Sequence, residues 1–298
     1  MRKNFWQFLR NVAPRFTSSA NVVKILRMKR NVKDFDGVTV DLTKFFDWIQ
    51  SLQLTDTPKE KLVVILGATG TGKSSLAISL AEKFSTEIIS ADSMAVYKNF
   101  NVGTAKPKPA ELERAVHHLI DILDADEKFS VGEFVRRAKP IISELNRRGK
   151  IPIVAGGTGL YIQALVEGYE LNAGKSFTSH YKKTGELAYA AQVFGLTTNR
   201  AELYDRINRR TEQMFADGLV DEVRALLAGG ISPTAQAMLG IGYKETVEFL
   251  TGAATLDETI SNVAQATRNF AKRQLTWYRR MKYIRWLKIF DALQRREV

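Results

Sequence analysis

LVVILGATGTGKSSLAISL, running from Leu62 to Leu80, is the stretch that decides the fold of this chain. It opens with an apolar run that contains two adjacent valines, a pattern typical of a buried parallel strand. From Gly67 to Ser74 it matches G-x-x-x-x-G-K-[ST], and an amphipathic helix follows at once. A chance glycine-rich turn is the alternative, but it does not explain the strand before the motif, the helix after it and the filled fixed positions.

The motif predicts a phosphate-binding loop. Its glycines let backbone N–H groups close around phosphate oxygens, beside the positive end of the following helix. Lys73 supplies a mobile cation, and the Ser74 hydroxyl suits Mg²⁺. The residues expected to bind the phosphorylated ligand are Gly67, Thr69, Gly70, Gly72, Lys73 and Ser74. The loop by itself does not identify that ligand, so nucleotide binding, with ATP as the ligand, is one candidate.

Strand and helix patterns alternate from Lys61 onward, which predicts an α/β fold: a P-loop NTPase-like parallel sheet with flanking helices and a helical C-terminal part. The predicted strands are Leu62–Leu66, Glu87–Ser90, Leu119–Leu123, Ile151–Ala155 and Tyr283–Leu287. The predicted helices are Asp41–Leu54, Lys73–Phe84, Val131–Arg148, Leu160–Glu167, Arg200–Asp217, Leu219–Ala228, Met238–Leu250 and Leu256–Met281. Asn99–Glu111, with a glycine and two prolines, is predicted to be a loop, and residues 168–199 show no clear pattern.

The composition excludes several classes of protein. With 298 residues, 45% of them hydrophobic, the chain can form one α/β domain with an appendage, and no apolar run is long enough to cross a membrane. The absence of cysteine excludes disulfides and thiolate zinc sites, and three histidines leave little room for a histidine metal site. The absence of cysteine fits a reducing compartment or gives no information about the compartment. We expect a cytoplasmic protein with no membrane partner, acting as a monomer.

Charge is unevenly distributed along the chain, whose formal net charge is +12. Residues 1–33 contain nine Lys/Arg and no acid, and Thr259–Phe290 contain eight Lys/Arg and no acid. Two basic regions favour a polyanionic partner, for which nucleic acid is the obvious candidate; the alternative is a solvated basic surface. Residues 1–33 could be an arm that binds RNA, a tail or an artefact of the assigned start, or a targeting segment.

Four segments therefore describe the predicted organisation. Residues 1–60 are a basic N-terminal extension with a short helix, and residues 61–170 are the P-loop core. Residues 171–199 are a linker. Residues 200–298 are a helical part that completes the core and offers an RNA-binding surface.

Asp92 and Thr158 follow predicted strands, and the carboxyl ends of parallel strands share the edge of the sheet where ligands bind. An acid at the position of Asp92 can act as a general base, hold Mg²⁺ through water, or merely cap a turn. Thr158 belongs to a second glycine-rich turn, Gly156–Gly159, whose amides could bind an anion or a base; a tight strand-to-helix connection is the alternative. The adjacent His117 and His118 are more often structural than metal-binding.

Cationic side chains recur at helical spacing in two later segments. Arg206 and Arg210 are four residues apart, so they share a helix face that could close over a diphosphate, although a solvated face is the usual meaning of this spacing. The second set is interleaved with aromatic residues and comprises Arg268, Lys272, Arg273 and Arg279. Cations with exposed aromatic rings suit a phosphate backbone with unstacked bases.

These and further motifs follow one another in a fixed order along the chain. They are Gly67–Ser74, Ile89–Met94 (ISADSM) with Val96-Tyr97, Val102–Pro107 (VGTAKP), His117–Asp121 (HHLID), Gly156–Tyr161 (GGTGLY), Gly242–Glu245 (GYKE), and Arg268 with Ala271–Trp277 (AKRQLTW). In this order the chain resembles the bacterial tRNA dimethylallyltransferases, the adenosine isopentenyltransferase family, over about Lys61–Leu287. Several of the motifs are specific to that family rather than common to phosphate-loop proteins.

The resemblance implies a reaction, in which the allyl C1 of dimethylallyl diphosphate is joined to N6 of the adenine next to the tRNA anticodon and diphosphate is released. The N6 amine is a poor nucleophile because its lone pair is delocalised into the ring. The allylic carbon compensates by tolerating positive charge as the C–O bond breaks, so the catalyst must stabilise a departing diphosphate. The target base must also leave its stack to be reached.

The resemblance also implies roles for individual residues. Thr69, Lys73 and Ser74 would hold dimethylallyl diphosphate with Mg²⁺ rather than ATP, Asp92 would take a proton from N6, and Arg210 would bind the diphosphate. The implied catalytic residues are Asp92, Lys73, Arg210 and Thr158. The implied contacts to tRNA are Asp92, Ser93, Met94, Ala95 and Thr158, and the phosphate contacts predicted from charge are Arg268, Lys272, Arg273 and Arg279.

The chain departs from the family pattern on the side that reads tRNA. Relatives carry a helical insertion that clamps the anticodon arm after the segment matching Gly156–Gly168, whereas residues 171–199 resemble only a remnant of it. Ala95 and Leu239 replace glutamines of the family, and Val116 replaces a proline. Three alternatives therefore stay open: a transferase for free adenine nucleotides, a small-molecule kinase that uses ATP, and a degenerate relative that binds RNA without turnover.

Overall fold

The computed structural model describes residues 38–40, 42–170 and 178–289, so the predictions made for residues 1–33 lie outside the described residues. The strands are β1 (Val38–Val40), β2 (Lys61–Gly67), β3 (Ile88–Ser90), β4 (His117–His118), β5 (Ile153–Gly156), β6 (Tyr169–Glu170), β7 (Thr178–Ser179), β8 (Ala190–Leu196) and β9 (Arg285–Ile289). Seven of them form one parallel sheet in the order β1-β9-β8-β2-β5-β3-β4, and β6 pairs with β7 in a separate antiparallel pair.

Helices cover the sheet and form most of the C-terminal part, as the sequence predicts. They are α1 (Leu42–Gln53), α2 (Lys73–Phe84), α3 (Pro109–Arg114), α4 (Val131–Arg147), α5 (Gly159–Val166), α6 (His180–Thr184), α7 (Arg200–Ala216), α8 (Leu219–Ala228), a 3₁₀ turn (Gln236–Leu239), α9 (Tyr243–Leu250) and α10 (Leu256–Tyr278). The predicted α/β class is confirmed. None of the helices in the described part of the chain is long and apolar enough to span a membrane.

The central strand β2 divides the core into two layers, because successive side chains of a strand point to opposite faces. Val63 and Ile65 lie in the layer that holds the buried residues of α1 and α2. Leu62, Val64 and Leu66 lie in the layer that holds the buried residues of α4 and α5. Burial on both faces explains why the strand is a continuous apolar run, and it fixes the point where the phosphate loop begins.

Residues ahead of the predicted core complete one end of the sheet. β1 pairs in parallel with β9, and α1 packs through Phe45, whose ring centroid lies 4.6 Å from that of Phe194 on β8. Trp48 stacks on the same ring at 6.2 Å. The predicted helix over Asp41–Leu54 is thus confirmed as α1, and its apolar face covers the central strands.

Strand β8 is the largest error of the sequence analysis, which found no clear pattern in residues 168–199. Ala190–Leu196 lies next to β2, in register from Lys61 to Gly67, and pairs with β9 on its other side. Its sequence, AAQVFGL, is a weak strand signal because it contains a glutamine and a glycine. Gly195 is required there, since a Cβ would lie 2.7 Å from side-chain atoms of both Ile284 and Trp286.

Two other predictions are wrong because the backbone turns where the sequence pattern continues. A strand was predicted over Leu119–Leu123, but the strand found here, β4, ends at His118. It cannot continue because Leu119 and Asp121 adopt left-handed conformations, with φ of 62° and 54°. A single helix was predicted over Met238–Leu250, but Gly242, with φ of 95°, separates the 3₁₀ turn from α9.

The remaining boundaries shift slightly. The loop predicted over Asn99–Glu111 ends earlier, because α3 begins at Pro109, a residue well suited to the first turn of a helix. The last strand is β9, displaced by two residues from the predicted Tyr283–Leu287.

Candidate active site

The phosphate loop connects β2 to α2 and leaves backbone N–H groups open at its helical end. Gly70 and Gly72 adopt left-handed conformations, with φ of 82° and 83°, which residues with a side chain rarely adopt. Gly72 caps α2 and has no side chain to accept the first N–H groups of the helix. The loop therefore has the geometry of an anion site at a helix N-terminus.

Lys73, the first residue of α2, lies against the loop, where its Nζ donates a hydrogen bond to the Ala68 carbonyl at 2.9 Å. The pKa of Lys73 is lowered to about 8, chiefly by burial and then by the positive charge of Arg210, while the carboxylate of Asp92 opposes the shift. The charges of Arg210 and Asp92 therefore lie close enough to Lys73 to act on it. All three are among the catalytic residues implied by the sequence resemblance.

Asp92 lies just beyond the carboxyl end of β3, in a turn that its own side chain stabilises. Its Oδ1 accepts hydrogen bonds from the N–H groups of Met94 at 2.8 Å and Ala95 at 3.3 Å. The capping role that the sequence analysis offered as the alternative is therefore real. It occupies only one of the two carboxylate oxygens among the described contacts, so it is compatible with a role as a base.

The second glycine-rich turn, between β5 and α5, is fastened to the segment around Asp92. A Cβ on Gly156 would lie 2.2 Å from the Ala91 carbonyl oxygen, so only glycine fits. The Thr158 N–H donates to the same carbonyl at 3.1 Å, and Thr158 Oγ1 accepts from the Ser93 N–H at 3.0 Å. Thr158 thus orders the backbone on both sides of Asp92.

Helix α10 reaches this group through two buried side chains whose role the sequence analysis missed. Gln274 Oε1 accepts from the Thr69 N–H of the phosphate loop at 2.9 Å, and Gln274 Nε2 donates to the Gly157 carbonyl at 2.9 Å. Tyr278 donates its hydroxyl to the same carbonyl at 2.7 Å. The available signal was the motif AKRQLTW, in which Gln274 is the one carboxamide and directly follows two cations.

Helix α7 runs beside the loop and carries the two arginines predicted to face a diphosphate. Leu203 and Ile207 pack with Ala68 of the loop in one apolar cluster, which fixes the helix against it. Arg206 forms an ion pair with Glu202 one turn earlier on the same helix. Arg210, by contrast, acts on Lys73, and this places its charge at the phosphate loop.

The predicted phosphate contacts lie along α10 and at its end. Lys272, Arg273 and Arg279 are exposed, and the Arg273 guanidinium lies 5.8 Å from the Phe270 ring centroid. Arg268 is half-buried, bonded to Asn208 of α7 and, at 2.8 Å, to Gln265. Three of the four predicted contacts are therefore exposed to solvent, while Arg268 links two helices.

The predicted tRNA entry combines buried and exposed apolar residues. Ala95 is buried, with 6% of its surface exposed, so its side chain lines the core rather than the entry. The Met94 side chain lies against Gly240, where a Cβ would come within 2.6 Å of Met94 Cε. The neighbouring Leu239 is 59% exposed, and Val116 is 54% exposed. The three family departures thus fall on one buried position and two surface positions.

Several recurring motifs have structural roles. His117 Nδ1 bonds to the Ala115 carbonyl at 2.8 Å, and His118 Nε2 bonds to Glu87 at 2.8 Å, which supports the structural alternative for the pair. The buried ammonium of Lys106 pairs with Asp121 at 2.5 Å, joining the motifs VGTAKP and HHLID.

Glu222 explains the motif GYKE. Its carboxylate accepts hydrogen bonds from the Tyr243 hydroxyl at 2.7 Å and from the Val102 and Gly103 N–H groups at 2.8 and 3.2 Å. Burial and the charge of Glu222 raise the pKa of Tyr243, so its hydroxyl keeps the proton that it donates. The motif therefore anchors the loop that follows the segment of Asp92.

The donor set at the loop fits a Mg²⁺ ion that is shared with a substrate. Among the described residues there is no cluster of three or more His, Cys, Asp or Glu that could hold a metal by itself. Ser74 is exposed in the first turn of α2 and offers one hydroxyl oxygen. Mg²⁺ is commonly bound by one or two protein oxygens together with substrate phosphates and water, and this arrangement suits Ser74.

The two short strands β6 and β7 pair as a hairpin after α5, in the region where a shortened insertion is predicted from the sequence. Tyr169 pairs with Ser179 and Glu170 with Thr178. Ser179 Oγ also bonds to the buried Glu167 carboxylate at 3.3 Å. The two ends of the intervening segment are thus held side by side.

Two family models match the chain. The model described as IPP transferase matches residues 95–173 and 169–281, and the model described as isopentenyl transferase matches residues 60–128. Together the matches run from the start of β2 to just beyond α10.

Relatives and solved structures agree with these matches. A tRNA dimethylallyltransferase of Streptococcus suis is 42% identical over 267 residues, covering 74% of this chain and 90% of the relative. One of Pelotomaculum thermopropionicum is 37% identical, covering 79% and 93%. The full-length tRNA isopentenylpyrophosphate transferase of Bacillus halodurans superposes with a TM-score of 0.72 at 35% identity, covering 80% of this chain and 93% of that one. A eukaryotic dimethylallyltransferase acting on tRNA gives a TM-score of 0.68 at 26% identity, covering 80% and 77%.

The comparisons also locate a difference in length. The IPP transferase model matches in two pieces that meet at residues 169–173, which is where the β6–β7 hairpin begins. The alignment with the Streptococcus suis protein is 267 residues long but covers only 74% of this 298-residue chain, so that relative has residues with no counterpart here.

Proposed function

This chain belongs to the IPP transferase family, and on that premise we propose that it transfers a dimethylallyl group from dimethylallyl diphosphate to N6 of the adenine next to the anticodon of a tRNA, releasing diphosphate. The observation that carries the proposal is the position of Lys73, which bonds to the phosphate loop within electrostatic reach of Arg210 and Asp92. Two cations suit a departing diphosphate, and one carboxylate suits removal of a proton from the amine.

In the transfer step, the N6 lone pair forms a bond to the allyl C1, and the bond between C1 and the diphosphate oxygen breaks. Negative charge grows on that oxygen, where Lys73, Arg210 and the open N–H groups of the loop stabilise it. The N6 proton goes to Asp92. Because Oδ1 of Asp92 already accepts two backbone hydrogen bonds, Oδ2 is the oxygen that we assign to the proton.

Ser74 is the residue to which we assign Mg²⁺. When bound, the ion would supply positive charge against the diphosphate oxygens and so assist the cations of the loop. The glycines Gly67, Gly70 and Gly72 complete the loop at positions that only glycine can fill without strain. The N–H of Thr69 is already bonded to Gln274, so we assign its side chain to the donor.

For the acceptor, we assign the exposed cations of α10 and its end to tRNA phosphates, and the turn around Asp92 and Thr158 to the target base. The N–H groups of Ser93, Met94 and Ala95 bond to Thr158 and Asp92, so we assign this segment the role of holding the turn in shape beside the target base.

The test of the proposal is transfer of labelled dimethylallyl groups. The protein is incubated with labelled dimethylallyl diphosphate, Mg²⁺ and an anticodon stem-loop RNA, and the label is expected in the adenine next to the anticodon. Calorimetry in parallel should show tighter binding of dimethylallyl diphosphate than of ATP. Tight ATP binding without binding of the allyl diphosphate would establish the kinase alternative instead.

The β6–β7 hairpin favours a second acceptor, a free adenine nucleotide, because it stands where the relatives have additional residues. A parallel incubation with AMP separates the two acceptors. Label in AMP and none in RNA would replace tRNA as the acceptor while leaving the transfer chemistry unchanged. Donor binding without label in either acceptor would identify a relative that has lost turnover.

We keep two further predictions, that the protein acts as a monomer and that it resides in the cytoplasm. Light scattering of the purified chain tests the first, and fractionation of cells expressing it tests the second.

A further inference from the structure

One buried side chain joins the two glycine-rich turns of the site. Gln274 is 5% exposed, and its carboxamide lies between the Thr69 N–H of the phosphate loop and the Gly157 carbonyl of the second turn, at 2.9 Å from each. The space at Gly157 is fitted to it, because a Cβ there would lie 2.5 Å from Gln274 Nε2.

The orientation of this carboxamide is fixed by its partners. A backbone N–H can only donate and a carbonyl can only accept, so the oxygen must face Thr69 and the nitrogen must face Gly157. No other common side chain of this length offers an acceptor and a donor at the same time. A glutamate would present a second oxygen to the Gly157 carbonyl, and a methionine would bond to neither group strongly.

From Gly157 the bonded path continues to the carboxylate. The next residue, Thr158, donates its N–H to Ala91 at 3.1 Å, and its hydroxyl accepts from the Ser93 N–H at 3.0 Å. Ala91 and Ser93 flank Asp92 in the sequence. Gln274 is therefore the link by which the loop at the diphosphate end is held at a set distance from the segment that positions Asp92.

We propose that Gln274 is a positioning residue that fixes the phosphate loop relative to the turn holding Asp92, and thereby the allyl C1 relative to N6. The proposal rests on the proposed function for its catalytic consequence. A bimolecular displacement depends steeply on the separation and alignment of its two reacting atoms, so that a shift of about 1 Å can cost about 100-fold in rate. A link between the two substrate sites controls that separation without touching either substrate.

The link is tested first without turnover, by amide hydrogen exchange. In the unmodified protein, inorganic diphosphate with Mg²⁺ should slow exchange both in the phosphate loop and at Ser93 and Thr158, because the link transmits the ordering of the loop. In Gln274→Met the loop should still respond to diphosphate, while Ser93 and Thr158 should not. Protection at Ser93 and Thr158 that persists in Gln274→Met overturns the proposal.

Two further variants separate the link from a loss of packing. Gln274→Glu keeps an acceptor for the Thr69 N–H but loses the donor to Gly157, so the Thr69 amide should stay protected while the response of Thr158 is lost. Gln192→Met is the matched control. It removes a different carboxamide, which is partly buried and bonds to the Trp48 carbonyl at 3.3 Å, away from the site. It should leave the response of Thr158 intact, and loss of the response there would assign the effect to general destabilisation.

Single-turnover transfer to RNA then tests the consequence. Gln274→Met should transfer the allyl group about 10- to 100-fold more slowly, while its Kd for dimethylallyl diphosphate changes by less than about threefold. A rate loss explained wholly by weaker donor binding, or one equalled by Gln192→Met at the same thermal stability, contradicts a positioning role. If the unmodified protein transfers no label to any acceptor, the proposed function fails, whereas the exchange experiment still decides the link.

Discussion

The phosphate loop and the β6–β7 hairpin differ in how much of the surrounding chain packs against them or bonds to them. The loop is held by β2, which is buried from Leu62 onward, by α7 packed against it, and by Gln274 and Lys73 bonded to its backbone. The hairpin has two residues in each strand and stands where relatives have additional residues. The part of the site that we assign to the donor, the donor half, is therefore densely built. The part that we assign to the acceptor, the acceptor half, is short at this hairpin.

The difference follows from what each half has to recognise. A diphosphate is small, and its charge must be met by donors at fixed positions as it departs, so its site depends on rigid backbone geometry. A polyanionic acceptor can be attracted by cations spread over a surface, because each contact adds to binding largely independently. The second half can therefore lose a structural element and keep binding, provided that cations remain.

Replacing the proposed base should have the largest effect. Asp92→Asn keeps the size of the side chain but loses the proton acceptor, so single-turnover transfer should fall by about 10²–10⁴ with donor affinity little changed. Asp124→Asn, an exposed aspartate paired with Lys98 at 3.1 Å, is the control and should transfer normally. Turnover near normal in Asp92→Asn would remove Asp92 from the role of base.

Removing the cations of the donor half should weaken the binding of the donor and leave the binding of the acceptor unchanged. Lys73→Ala and Arg210→Ala should each raise the Kd for dimethylallyl diphosphate by about 10- to 100-fold, since each deletes a charged partner of the diphosphate. Arg209→Ala, the neighbouring exposed arginine paired with Asp205 at 2.7 Å, controls for net charge. Equal donor affinities in Arg210→Ala and Arg209→Ala would contradict the assignment of Arg210 to the diphosphate.

The pKa of Lys73, lowered to about 8, predicts a pH dependence that belongs to the donor half alone. The free protein carries the charge at pH 7 and loses it as the pH rises through 8, so donor affinity should fall about tenfold between pH 7 and 9. Lys73→Met should remove this dependence and leave only that of the ligand itself. Calorimetry across this range measures both, and identical profiles would contradict the assignment.

Deleting residues 1–33 tests the acceptor half and should have the smallest effect at moderate salt. The deletion removes nine positive charges, so the slope of log affinity for tRNA against log salt should flatten by about one unit or more, with donor binding unchanged. A full-length variant with those nine residues changed to Gln separates charge from length. Identical slopes in all three proteins would show that the arm does not take the place of the shortened insertion.

The phosphate loop was predictable because its determinants are contiguous. The strand, the glycines, Lys73 and the helix follow one another in sequence, and α2 has the predicted bounds, Lys73–Phe84. Strand β8 was not predictable in the same way, because AAQVFGL becomes a strand by pairing with β2 and β9, which lie far from it in sequence. The prediction of a strand over Leu119–Leu123 was wrong for a local reason. Leu119 and Asp121 have a left-handed backbone, which the identity of their side chains does not predict.

The sequence by itself determined the α/β class, the anion-binding loop and the identity of the residues that could do the chemistry, because each depends on a short pattern of backbone and side-chain requirements. Only the tertiary structure decided which of them meet. Lys73, Asp92 and Arg210 come from three separate elements, and Gln274 reaches Thr69 and Gly157 across gaps of 205 and 117 residues. Such contacts are set by how helices and strands pack, so no local pattern contains them.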